Sequence, residues 1–109
     1  MELAEIVEKI KVLLKQPNPS ASDWADLMTY LQILLHDATN NALQKEVLAM
    51  RKFKELRHAQ GIKTRADAEI EWKASDEWYA WREAEEQKEE IEKWKTVASR
   101  QASTRNKNY

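Results

Sequence analysis

A chain of 109 residues, with 18 Lys and Arg against 19 Asp and Glu, carries a formal net charge of -1 and has the length of one domain. That balance speaks against a general nucleic-acid binder with a strongly basic surface, and the absence of cysteine excludes disulfides, thiolate nucleophiles and cysteine-ligated metal sites. One glycine, two prolines and 34% charged residues favour a few long helices over a β-rich fold.

The first apolar series, Leu3, Ile6, Val7, Ile10, Leu13 and Leu14, recurs at steps of three and four and predicts an amphipathic helix over about 2–15. Gln16-Pro17-Asn18-Pro19 ends it, because proline disfavours helix in the residue before it and supplies no amide to the ladder. Ser20 or Ser22 then has a hydroxyl to cap the next helix, with Asp23 and Asp26 in its first turn.

That second helix is expected over about 23–60. Trp24, Leu27, Met28, Leu31, Leu34, Leu35, Ala38, Ala42, Leu43, Val47, Met50, Phe53 and Leu56 keep helical period, with no Gly or Pro between them. The segment His36 to Asn41 gathers poor helix formers, and a break there, capped by Asp37 or Thr39, is the alternative. Gly61 follows a basic last turn, the usual pattern of a helix C-terminus. Thr64 is placed to cap a third helix, with Asp67 three residues on.

The third helix is expected over about 65–102, with Ile70, Ala74, Trp78, Trp81, Ala84, Ile91, Trp94, Ala98 and Ala102 as its seam, interrupted by Lys88. Residues 103–109 have neither apolar period nor helix bias and read as a flexible tail. The predicted fold class is all-α: a short N-terminal helix plus a long, coiled-coil-like antiparallel helical hairpin in a single domain over 1–102. A hairpin with one short helix across it has little core, so dimerisation that completes a four-helix bundle is expected.

Charge supports the hairpin. Residues 1–44 carry a net -3, 45–65 a net +5, 66–92 a net -8 and 93–109 a net +5. Folding about Gly61 sets the basic stretch Lys45 to Arg65 beside the acidic stretch Asp67 to Glu83. Such surface pairs are worth about 0 to 1 kcal/mol each, so they select register more than they hold the fold together.

Catalytic chemistry finds no support. His36 and Asp37 are neighbours that point to different helix faces, and one glycine excludes a Gly-rich phosphate loop. The expectation is a non-enzymatic protein without metal or cofactor. Five tryptophans are a high count, and Trp72, Trp78, Trp81 and Trp94 all fall on the third helix. At about 100° per residue, Trp78 and Trp81 lie in its seam, Trp72, Tyr79 and Val97 nearly opposite, and Trp94 at the margin. All five can be core or dimer packing. The functional alternative makes Trp72, Tyr79, Trp94 and Val97 anchors for a protein partner.

Two charged groups enter as further candidates. Glu83, Glu86, Glu89 and Glu90 form an acidic face able to mimic a phosphate backbone, although Lys88 with Glu92 and Glu89 with Lys93 also read as ordinary i,i+4 pairs. Arg51, Lys54, Arg57, Lys63 and Arg65 near the hairpin tip, with Arg100, Arg105 and Lys107 toward the C-terminus, are the phosphate contacts of a nucleic-acid-binding alternative.

No apolar run approaches the ~20 residues needed to span a bilayer. The start Met1-Glu2-Leu3-Ala4-Glu5 lacks the basic region of a signal peptide, so a soluble, unprocessed, cytoplasmic protein is expected.

From Gly61 to Trp72 the chain reads GIKTRADAEIEW, and from Ser75 to Glu85 it reads SDEWYAWREAE. A glycine turn, a Thr cap and an Ala- and Glu-rich helix resemble small helical-hairpin accessory proteins of tailed phages and prophages. Those proteins are often encoded near recombination or replication genes. The resemblance covers roughly residues 45–105. It implies a viral accessory protein acting in the host cytoplasm, without an assigned activity and without functional residues to carry over.

Overall fold

The computed structural model describes residues 2–17, 19–59, 61 and 64–106, with side chains described as far as Ala102. The chain forms four helices, α1 (Leu3–Lys15), α2 (Ala21–Arg57), α3 (Arg65–Lys73) and α4 (Asp76–Asn106), and no strand occurs among the described residues. Two compact units are present. Unit 1 comprises the residues up to Asp37 together with those from Glu89 onward, and unit 2 comprises Ala38–Lys88.

Unit 1 is built on the periodicity of α1. Ile6, Ile10 and Leu13 lie on one face at steps of four and three, and all three are buried. The first part of α2 contributes Trp24, Leu27 and Leu31 to the same unit, and α4 contributes Ile91 and Ala98. Burying a large apolar side chain of this kind stabilises by about 1.5 to 3 kcal/mol, so Trp24, Ile6, Ile10 and Leu31, all fully enclosed, dominate the unit. The Trp24 indole N–H is buried without an acceptor. The start of α2 carries a reciprocal cap: the Asp23 amide donates to Ser20 Oγ at 3.2 Å, and the Ser20 amide donates to Asp23 Oδ2 at 3.2 Å.

Unit 2 has a different interior. Ala42 and Ala49 of α2, Ala68 of α3 and Ala84 of α4 are buried. Alanine leaves little side chain between helices, so their backbones can approach closely, and one large ring fills the remaining space. Trp72 packs on Phe53 with ring centroids 4.9 Å apart and on Trp81 at 6.0 Å, and its indole N–H donates to the Ala49 carbonyl at 2.8 Å. That bond fastens α3 to the C-terminal half of α2.

Four helices, where the periodicity suggested three, follow from Ser75. Its Oγ accepts the Trp78 amide at 3.3 Å, its carbonyl accepts the Tyr79 amide at 3.2 Å, and Asp76 and Glu77 complete an acidic first turn for α4. The Ala74 and Ser75 amides close α3 onto the Glu71 and Trp72 carbonyls. We expect Ser75→Ala to lower stability by about 1 kcal/mol, read as a drop of roughly 4 °C in thermal unfolding.

The break changes which residues face inward. On one unbroken helix Trp72 and Trp81, nine residues apart, would point in opposite directions at about 100° per residue. In the structure their rings are stacked, with an interplanar angle of 26°. Ala68 and Trp72 turn inward in place of Ile70 and Ala74, and Ile70 is 69% exposed.

Helix α2 spans 21–57, against an expected 23–60, and remains helical through His36 to Asn41. It closes with the His58 and Ala59 amides bonded to the Glu55 and Leu56 carbonyls, ahead of Gly61 at φ 87°. Thr64 caps α3 as expected, its Oγ1 accepting the Asp67 amide at 3.1 Å. The expected tail differs too. With no Gly or Pro after Gly61 to stop it, α4 continues to Asn106, and 107–109 lie outside the described residues.

Candidate functional site

The inner and outer faces of α2 within unit 2 are written in two apolar series one residue out of step. Ala42, Ala49, Phe53 and Leu56 form the first; Ala42 and Ala49 are buried and Phe53 and Leu56 half-buried. Leu43, Val47 and Met50 form the second, and they are 55%, 51% and 42% exposed. Both have helical spacing, but only one can face the interior, since residues 49 and 47 lie about 160° apart around the axis. The residues one and two turns further along α2 decide between them. The first series continues into apolar Phe53 and Leu56, whereas the second continues into Lys54 and Arg57, which no uncompensated interior accepts.

Leu43, Val47 and Met50 were expected in the core and stand outside it. Val47 and Met50 line a shallow surface groove with Glu46, Arg51 and Lys54. Leu48 is also exposed, off the edge of this stripe. The stripe is the residue set that sequence reasoning missed, and the charged continuation at 54 and 57 is the signal that could have found it.

The expected aromatic anchors divide. Trp72 is half-buried and committed to Phe53, Trp81 and the Ala49 carbonyl, so its ring is not presented outward; the break at Ala74–Ser75 is the cause. Tyr79 is 60% exposed and rests edge-on against Trp78, with centroids 5.2 Å apart. Trp94 and Val97 are half-buried and belong to unit 1, whereas Trp72 and Tyr79 belong to unit 2. Trp81 has a buried N–H without an acceptor, and the Arg82 guanidinium lies 5.9 Å from its ring centroid.

The charged candidates stay at the surface. Glu83, Glu86, Glu89 and Glu90 are exposed on α4, the first two in unit 2 and the last two in unit 1. Arg51, Lys54, Arg57 and Arg65 are exposed in unit 2. In unit 1, Arg100 borders a recess with Leu35 and Glu92. Lys63 and Lys107 lie outside the described residues, as does the side chain of Arg105.

The predicted pairing of basic 45–65 with acidic 67–83 takes a local form. Among the described residues, the ion pair joining the two stretches is Arg65 with Glu69 at 3.4 Å, an i,i+4 pair along α3. Both side chains are largely exposed, so the pair contributes a few tenths of a kcal/mol.

Unit 1 offers one more concave surface, where Val12, Leu13, Leu27 and Tyr30 line a groove bordered by Glu8, Asp23, Asp26 and Lys9. Among the described residues no group of three or more His, Cys, Asp or Glu could hold a metal, and no helix is long and apolar enough to cross a membrane. Compared with known proteins, the chain matches no family model, no curated protein and no solved structure.

Proposed function

We propose that this chain is a non-enzymatic protein–protein interaction module. The observation that carries the proposal is the outward stripe Leu43, Val47 and Met50 on α2, three large apolar side chains in helical register with about half their surface in water. Scattered exposed apolar residues are ordinary on any protein, but a contiguous row on one helix face has the form of a helix-packing surface. Tyr79, the exposed member of the aromatic set, offers a secondary contact. On this reading the molecule is a helical, coiled-coil-like accessory protein that works in the cytoplasm, a role in keeping with the phage resemblance of residues 45–105. Dimerisation into a helical bundle belongs to the same proposal.

The test is capture by the tagged full chain, with and without nuclease, from a bacterial lysate that also contains the untagged chain, run beside Val47→Glu and Met50→Glu. Stoichiometric retention of protein, the untagged chain or another, by the wild type and its loss from both variants is the expected result. Capture that is unchanged in both variants would overturn the assignment of the stripe. Material that disappears with nuclease, and that depends instead on Arg51, Lys54, Arg57 and Arg65, would transfer the function to nucleic-acid binding.

A further inference from the structure

We infer that the occupant of the Leu43–Val47–Met50 stripe is a second copy of this chain, packed in parallel along α2, with Glu46 of each copy facing the partner's Arg51. The inference rests on the reading of the stripe as a protein-binding face and goes further by naming the occupant and its direction.

The spacing carries the first step. Leu43, Val47 and Met50 follow the steps of four and three of a two-stranded coiled-coil seam, with Val47 at an a position and Leu43 and Met50 at d positions, and the next a and d positions, Lys54 and Arg57, end its apolar part. Leu43, Val47 and Met50 are open to receive a partner.

Charge carries the second step. Glu46 immediately precedes Val47 and so stands at g, and Arg51 immediately follows Met50 and so stands at e, on opposite edges of the seam. Both line the groove with Val47 and Met50. In a parallel pair, g of one helix meets e of the other five residues further along, which is the separation of Glu46 from Arg51, so a two-fold axis creates two attractive contacts. In an antiparallel pair g edges meet g edges and e edges meet e edges, so Glu46 cannot meet the partner's Arg51.

Lys54 limits the seam. In parallel packing it stands opposite the partner's Lys54, and Arg57 opposite the partner's Arg57, so two like-charge layers close the apolar seam after Met50 at a cost in stability. The association is therefore weak.

Sedimentation equilibrium of the full chain from 1 to 300 μM is expected to show a reversible monomer–dimer equilibrium. Val47→Glu should hold the chain monomeric across that range. Glu46→Arg alone and Arg51→Glu alone should each weaken the dimer by about tenfold, since each converts two attractive contacts into repulsive ones, and the double swap should restore it. Because the chain has no cysteine, Lys54→Cys reports direction: mild oxidation links the two copies rapidly only when identical positions face each other.

A dimer that is insensitive to Glu46→Arg, or that fails to link through Lys54→Cys, overturns the parallel pairing. A monomer at all concentrations whose lysate capture is still lost in Val47→Glu overturns the second copy as occupant and leaves the stripe as a face for another protein. A monomer whose capture is untouched by Val47→Glu overturns both.

Discussion

Trp24→Ala is expected to remove about 3 to 5 kcal/mol of folding stability, whereas Trp24→Phe is expected to cost only about 1 kcal/mol. The ring is fully enclosed in unit 1, so truncation to alanine forfeits its transfer energy and leaves a cavity. Phenylalanine loses part of that volume too. It also removes an indole N–H that is buried without an acceptor, a desolvation cost of about 1 to 3 kcal/mol already present in the native protein. The two terms largely offset each other. Urea denaturation of the three proteins measures both differences, and a Phe variant as unstable as the Ala variant would show that the N–H contributes through a contact of its own.

The second large effect lies in unit 2. Trp72→Ala is expected to cost about 3 kcal/mol, at the low end for a tryptophan because the ring is half-buried. Trp72→Phe keeps much of the packing on Phe53 and Trp81 but loses the bond to the Ala49 carbonyl, for about 1 kcal/mol. The two tryptophans thus differ in what their N–H groups do. In Trp24 it is a liability, and in Trp72 it is an attachment. Hydrogen exchange gives a readout specific to the second site: in Trp72→Ala the amides of α3 should lose protection well before those of α1, because α3 has only Ala68 as a further buried residue. Equal loss in both helices would mean that Trp72 supports the fold as a whole.

The all-helical class was legible in composition, and α1 in its Ile6, Ile10 and Leu13 spacing. The Thr64 cap was legible as well. The α3–α4 break was harder, because apolar residues continue on both sides and Ala74 remains in helical φ and ψ. The local signal was Ser75-Asp76-Glu77, a cap followed by two acids, which periodicity alone overrides.

The exposed stripe was obscured for a related reason. A period count accepts any apolar residue at steps of three and four, so Ala42 with Phe53 and Leu43 with Met50 merged into one wide face. Small residues were the missing information. Ala49 carries little hydrophobic weight in such a count, yet it is completely buried. Trp72 was misplaced by the same unbroken-helix assumption that concealed Ser75.

The division of the chain also has a kinetic side. Unit 2 is one uninterrupted stretch, Ala38–Lys88, whereas unit 1 needs residues from both ends of the chain. The Trp72 to Ala49 bond closes a segment of 23 residues, while Ile6 and Ala98 join the same unit only after everything between them has been spanned. Closing the longer loop costs more chain entropy, and collapsing the inner segment first shortens the distance left to close. During synthesis the inner segment can therefore assemble before the segment from Glu89 onward, which unit 1 needs, has been made. Slow refolding phases should accordingly be felt by Trp24 and not by Trp72.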